Sequence, residues 1–186
     1  MKKKFIVIGV VLLFVGVWGY TSVSQSNTDI QVGETWELNS KQLQNISFNK
    51  VSQNIKTEIK ESDNEITTIT LSGKVSEKTK TALATSVLTE DSAAINFSKK
   101  GEVKLFVTSE GKDELTLSVN LAKDATFKEM NFAMDVGSVV INLPESFDGK
   151  YETKAEGDGE VSVPETGESM DSLIQVKTIG NIEINK

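Results

Sequence analysis

Asp135, Glu156, Asp158 and Glu160 are the side chains whose type and spacing come nearest to chemistry in this sequence. A carboxylate pair at a fixed separation could cleave a glycosidic bond, one acid protonating the leaving oxygen while the other attacks or activates water. The run EGDGE also places Glu156, Asp158 and Glu160 at alternating positions, and clustered oxygen ligands in a flexible loop suit Ca²⁺. Neither pattern is complete. The Asp-x-[Asp/Asn]-x-[Asp/Asn]-Gly calcium loop is absent, as are Gly-Gly-x-Gly-x-Asp repeats. All four acids sit beside glycine turns, where solvated carboxylates are the ordinary occupants. The carbohydrate-active enzyme and the calcium-dependent surface module therefore stand as alternatives to a reading without catalysis or metal.

Composition narrows the chemistry further. The 186 residues contain no His and no Cys, and all 20 basic side chains are Lys. Without His there is no unperturbed general base near neutral pH. Without Cys there is no thiol nucleophile, zinc-thiolate site, disulfide or thiol for lipid attachment. Without Arg there is no bidentate clamp for phosphate or carboxylate. The net charge of −7 and the lack of a basic stripe argue against nucleic acid, whose affinity comes from cations meeting phosphates. The expectation is a non-enzymatic chain without cofactor. A protein partner suits it better than an anionic wall polymer, which its own charge would repel.

The first residues suggest where such a chain would act. Lys2, Lys3 and Lys4 precede an unbroken apolar run from Phe5 to Gly19, and Trp18 and Tyr20 lie at its far end. Lysines on one side and amphipathic rings on the other are the marks of a membrane-crossing helix held at both interfaces. Continued to Val23 the run would extend about 28 Å as a helix, close to the ~30 Å hydrocarbon core. A cleaved signal peptide is the competing reading, with Ser22-Val23-Ser24 as its small-x-small site. Residues 1–23 are read as a membrane anchor or signal segment and 24–34 as a polar linker. Residues 35–186 form the folded domain, which lies outside the plasma membrane on either reading. An exported chain without Cys fits a Gram-positive cell envelope.

The elements that must position the acids are strands. Ile46/Phe48, Ile55/Ile59, Ile69/Leu71, Ile95/Phe97, Val103/Leu105/Val107 and Leu115/Leu117/Val119/Leu121 alternate with polar residues, the period of a half-buried strand. Turn residues such as Ser62-Asp63-Asn64 and Glu90-Asp91-Ser92 separate them. Ser76–Ser86 has a helix-compatible composition, but the alternation in ALATSVLT reads as strand. Trp36 reads as a packing residue at the start of the domain.

The last 50 residues repeat. GSVVINL, GEVSVP and GNIEIN each open on a glycine, Gly137, Gly159 and Gly180, followed by an alternating segment with inward pairs Val139/Ile141, Val161/Val163 and Ile182/Ile184. Another alternating strand precedes each glycine: Phe132/Met134/Val136, Tyr151/Thr153/Ala155 and Ile174/Val176/Thr178. A unit of strand, Gly corner and strand that returns after about 21 residues fits a stacked β-coil. The expected fold is all-β. Its C-terminal half is a β-solenoid of the single-stranded right-handed β-helix type, with an irregular or sandwich-like N-terminal cap and one N-terminal transmembrane helix.

ETWELNSKQLQNISFNKVSQNIKTEI, with Trp36-Glu37-Leu38, Ile46-Ser47-Phe48 and Asn54-Ile55, resembles the opening of the LiaG-like family of candidate adhesins, and the three Gly phrases resemble its recurring coils. The resemblance runs from about Thr35 to Lys186. It implies an extracytoplasmic β-repeat protein, often associated with envelope-stress signalling in Gram-positive bacteria, with no established enzymatic activity and no functional residues to transfer. The corners Val136-Gly137-Ser138 and Ile179-Gly180-Asn181 depart from the family's Ser-Gly-Asp. The resulting expectation is a membrane-anchored, adhesin-like or envelope-stress accessory module that binds an envelope protein or wall polymer.

Overall fold

The computed structural model describes residues 28–99, 113–169 and 171–186. Two sheets face one another across the core. The first runs, in spatial order, β1 (Ile30–Leu38), β4 (Thr67–Val75), β7 (Leu115–Leu121), β3 (Ile55–Glu61), β9 (Val139–Asn142), β13 (Ile182–Asn185) and β11 (Val161–Ser162). The second runs β10 (Lys150–Glu156), β12 (Leu173–Ile179), β8 (Glu129–Met134), β2 (Ile46–Val51), β6 (Ala93–Asn96) and β5 (Val87–Leu88). Strand β1 begins within the stretch read as linker.

Alternation decides which side of each strand turns inward. Leu115, Leu117, Val119 and Leu121 of β7 are buried while Thr116 is exposed. Ile69 and Leu71 of β4 and Ile55 and Ile59 of β3 join them in the core. From the opposite sheet come Phe48 and Phe132, stacked at 4.8 Å between ring centroids on adjacent strands. Each such side chain contributes about 1.5–3 kcal/mol by leaving water.

The repeat units pair with each other, but they do not form the expected solenoid. Strands β3, β9, β13 and β11 are parallel in one sheet, and β2, β8, β12 and β10 are parallel in the other. Both sheets are mixed, because β4 runs antiparallel to its neighbours β1 and β7 in the first and β5 antiparallel to β6 in the second. No closed coil results, and the layers do not follow chain order. The third unit, β12 and β13, lies between the first unit (β8, β9) and the second (β10, β11). Ile182 accordingly faces Val139 on one side and Val161 on the other.

Apolar content accounts for this order. The third unit buries Ile174, Val176, Ile182 and Ile184, as an interior layer must. The second unit has no fully buried position in β10 or β11, and Val161 is 46% exposed instead of pointing inward. A periodic pattern can specify parallel pairing without specifying which neighbour each unit takes. The weakest unit ends at the sheet edge, where least burial is required.

The three repeat glycines stack at one corner in the order Gly137, Gly180, Gly159. A Cβ on Gly137 would lie 2.6 Å from the Gln53 carbonyl oxygen, one on Gly180 2.6 Å from that of Gly137, and one on Gly159 2.2 Å from that of Gly180. Gly137 and Gly180 also hold φ at +120° and +148°, which side chains disfavour. The residue after each corner bridges to the next layer. Asn54 Oδ1 accepts from Ser138 N at 2.9 Å, Ser138 Oγ from Asn181 N at 3.4 Å, and Asn181 Oδ1 from Glu160 N at 3.0 Å.

Residues Glu77–Leu83 form helix α1, where alternation suggested a strand. Ser76 caps it, its hydroxyl accepting from Thr79 N at 3.2 Å, and one face buries Thr79, Ala82 and Leu83. The strand read over Val103–Val107 and the membrane segment over residues 1–23 lie outside the described residues. Among the described residues no helix is long and apolar enough to cross a membrane, α1 being only seven residues long. The expectation of a transmembrane helix, and with it of a single-pass plasma-membrane protein with an extracellular domain, is corrected on that finding and is not carried further.

Candidate functional site

The corner glycines meet, but the acids beside them do not assemble a reaction centre. Asp135 follows β8, its backbone N–H bonded to the Val51 carbonyl and its carboxylate 3.5 Å from Ser52 Oγ. Glu156 ends β10, and the exposed Asp158 and Glu160 follow in the turn to β11. The layer of Gly180 separates Asp135 from the other three. Glu156 Oε1 lies 2.9 Å from Lys154 Nζ and 3.5 Å from Lys177 Nζ. Its hydrogen bond to Lys154 and the charges of both lysines hold its carboxyl below the usual range. That is the opposite of what a general acid for glycoside cleavage requires. Among the described residues no three acidic side chains converge to hold a metal. The proposed anchor residues Lys2, Lys3, Lys4, Phe5, Trp18 and Tyr20 lie outside the described residues. Trp36 is partly buried and packs against the core.

A broad concavity lies elsewhere. At one end of the sheets, the close of β1, the 3₁₀ turn Gln42–Gln44, the start of β4 and the exit from β7 surround a cleft of about 740 Å³. Leu38 and Leu43 are buried in its floor, and Ile66 stands on its rim, 49% exposed. Glu37, Glu65 and Asp124 line it with a single cation, Lys123. A second hollow of about 360 Å³ shares Lys123, Asp124 and Ala125 and adds Glu61 and Asp63. Acidic groups from the end of β1 and from the loops before β4 and after β7 therefore surround one exposed isoleucine.

Local bonding fixes these walls. Gln42 accepts from Asn39 N through Oε1 at 3.0 Å and donates through Nε2 to the Thr89 carbonyl at 2.7 Å. Thr67 Oγ1 accepts from Ala122 N at 2.9 Å, and the Asn64 carbonyl from Lys123 N at 2.8 Å. Asp124 turns the chain with φ at 57°, a conformation that Asp tolerates better than most residues. Sequence reading missed this cleft because its acids are spread over 88 positions from Glu37 to Asp124. One signal was present. Ile66 is out of phase with Ile69 and Leu71, so the strand that buries those two must expose it.

The outer face of the second sheet carries a shallower groove of about 340 Å³ across β8, β12 and β10. Gln175 Nε2 donates to Glu152 Oε2 at 2.8 Å there, beside the lysine pair on Glu156. Behind β10, Tyr151 rests 5.9 Å from Phe147, and its buried hydroxyl has no partner among the described residues. Desolvation pushes that phenol's pKa upward.

No protein family and no curated protein matches this chain. Among solved structures, it is similar to a candidate cell adhesion protein from Clostridium sporogenes, with 13% identity and a TM-score of 0.31 over 84% of this chain and 99% of that one. A candidate adhesin from Parabacteroides distasonis gives 10% identity and a TM-score of 0.37 over 84% of this chain and 58% of that one. A candidate lipid-binding protein from the same organism gives 17% and 0.32 over 70% of this chain and 47% of that one. The chain thus spans about half the length of the two Parabacteroides proteins. Likeness this low decides neither family nor function.

Proposed function

We propose that this chain is a non-enzymatic, adhesin-like binding module for a protein partner, of the LiaG-like kind that its glycine phrases resemble. The observation that carries the proposal is the end cleft, where Glu37, Glu65 and Asp124 surround the exposed Ile66 with only Lys123 to offset them. Acidic walls around an apolar rim complement a basic segment with an apolar side chain to insert. The walls are held by backbone-linked hydrogen bonds, so little ordering accompanies binding.

Two immobilised pools of short peptides, Lys/Arg-rich and Asp/Glu-rich and both with interspersed apolar residues, test the reading. The basic pool should retain the protein, with affinity that falls as salt rises. Glu65→Lys combined with Asp124→Lys should weaken retention by roughly tenfold or more. Equal retention on both pools, or retention unaffected by the double variant, would reject the cleft as the binding site.

A further inference from the structure

Strand β10 ends the six-stranded sheet, and among the described residues its one paired neighbour is β12. The Lys150 amide donates to the Ser172 carbonyl on the β12 side. In a parallel ladder, backbone direction alternates, so Lys150, Glu152, Lys154 and Glu156 turn their amides and carbonyls toward β12. Tyr151, Thr153 and Ala155 turn theirs to the open side. One loop contact confirms the phase: Gly167 N donates to the outward Gly149 carbonyl at 3.1 Å, closing the edge just before Lys150.

The free edge reads KYETKAE, Lys150 to Glu156. Reversed upon itself about Thr153, it sets Lys150 against Glu156, Tyr151 against Ala155, Glu152 against Lys154 and Thr153 against Thr153. Each charge meets its opposite, and the large ring meets the small methyl. The phase of the backbone agrees. Tyr151, Thr153 and Ala155 fall at hydrogen-bonded positions, and the four charged residues fall at the closer non-hydrogen-bonded ones, where side chains interact most.

We infer that two copies of this chain pair antiparallel through β10, about a two-fold axis at Thr153, and so join their six-stranded sheets into one. A second copy is the fitting occupant because the complementarity is the edge's own, as an isologous contact demands. Edge lysines commonly deter pairing, but here every lysine faces a glutamate in this one register. The other long edge shows the contrast. Strand β1 folded back on itself would set Glu34 against Glu34, and its residues 30–38 contain no lysine. The β10 edge shares no residue with the acidic cleft, so dimer and cleft can fail separately.

The chain contains no cysteine, so introduced thiols report on this contact alone. Glu152→Cys and Lys154→Cys chains, mixed, should form a disulfide-linked dimer on oxidation. Their positions oppose at about 4.5 Å between Cα atoms, within disulfide reach, whereas each variant alone offers only diagonal pairs. The mixture should yield roughly tenfold more cross-link than either variant alone. Without introduced cysteine, Lys154→Glu creates two like-charge pairs, and sedimentation should register association weakened by roughly tenfold or more. Adding Glu152→Lys to it should restore association. Cross-linking in the mixture no greater than in the single variants, or a swapped double variant that stays as weak as Lys154→Glu, would overturn the inference and leave the edge to a strand of another protein.

Discussion

Thr178 Oγ1 donates a hydrogen bond of 2.5 Å to the carbonyl oxygen of Gly137, joining two neighbouring layers across 41 residues of chain. The donor is buried, and the oxygen it satisfies belongs to a corner where glycine already holds a positive φ. Thr178→Val keeps the shape and removes the donor. It should lower stability by about 1–2 kcal/mol, since a buried acceptor loses its partner. Urea unfolding should register this as a lower midpoint with an unchanged slope.

Thr57 presents the inverse case. Its side chain is buried in β3, and its hydroxyl has no hydrogen-bond partner among the described residues. Thr57→Val removes a polar atom whose desolvation is uncompensated, so it should stabilise the protein by about 1 kcal/mol in the same titration. Opposite signs from one type of substitution at two buried positions separate hydrogen bonding from packing.

The corner glycines should rank by their place in the sheet. Gly180→Ala brings a Cβ within 2.6 Å of the Gly137 carbonyl oxygen at a φ of +148°, inside a layer clamped on both sides. A cost of about 2–3 kcal/mol follows from the strained dihedral and the clash. Gly159→Ala has the closer approach, 2.2 Å, yet it lies in the outermost layer, which can move outward. Its cost should be the smaller of the two by thermal unfolding.

Tyr151 sets a limit at high pH. Desolvation raises its pKa in the folded chain above the ordinary 10.0, so the unfolded chain releases this proton first. The contribution is fully present below the unfolded value and is lost as pH rises from there through the folded value. Wild type should therefore lose stability above pH ~10 more steeply than Tyr151→Phe, which has no phenol to ionise. At neutral pH the phenylalanine variant should be at least as stable, since the buried hydroxyl it removes has no partner among the described residues.

Much of the strand content was legible in the alternation of Leu115/Leu117/Val119/Leu121 and Ile69/Leu71, because each position is dictated by its own strand. The repeat also disclosed that Val139, Val161 and Ile182 occupy equivalent corners. Their order in space was harder to read, since layer choice depends on comparing whole units for burial. The polar Lys150–Glu156 strand goes to the edge, and Ile174, Val176, Ile182 and Ile184 go inside. Helix α1 went unread because Ser76 determines its start through a cap that periodicity does not register. The cleft combines side chains from segments whose meeting is decided by pairing of β1 with β4 and β4 with β7, contacts with no local signature.

The slot between β8/β9 and β10/β11 is filled by residues 173–186, which follow both of those units in sequence. During synthesis the preceding repeat unit therefore emerges with no finished surface to pair against. Neither sheet can be completed until residues 173–186 have left the ribosome, and β10 and β11 wait on them. Loss of those residues would remove an interior layer and orphan the outer one. The latest-made of the three repeat units is the keystone that holds the earlier two together.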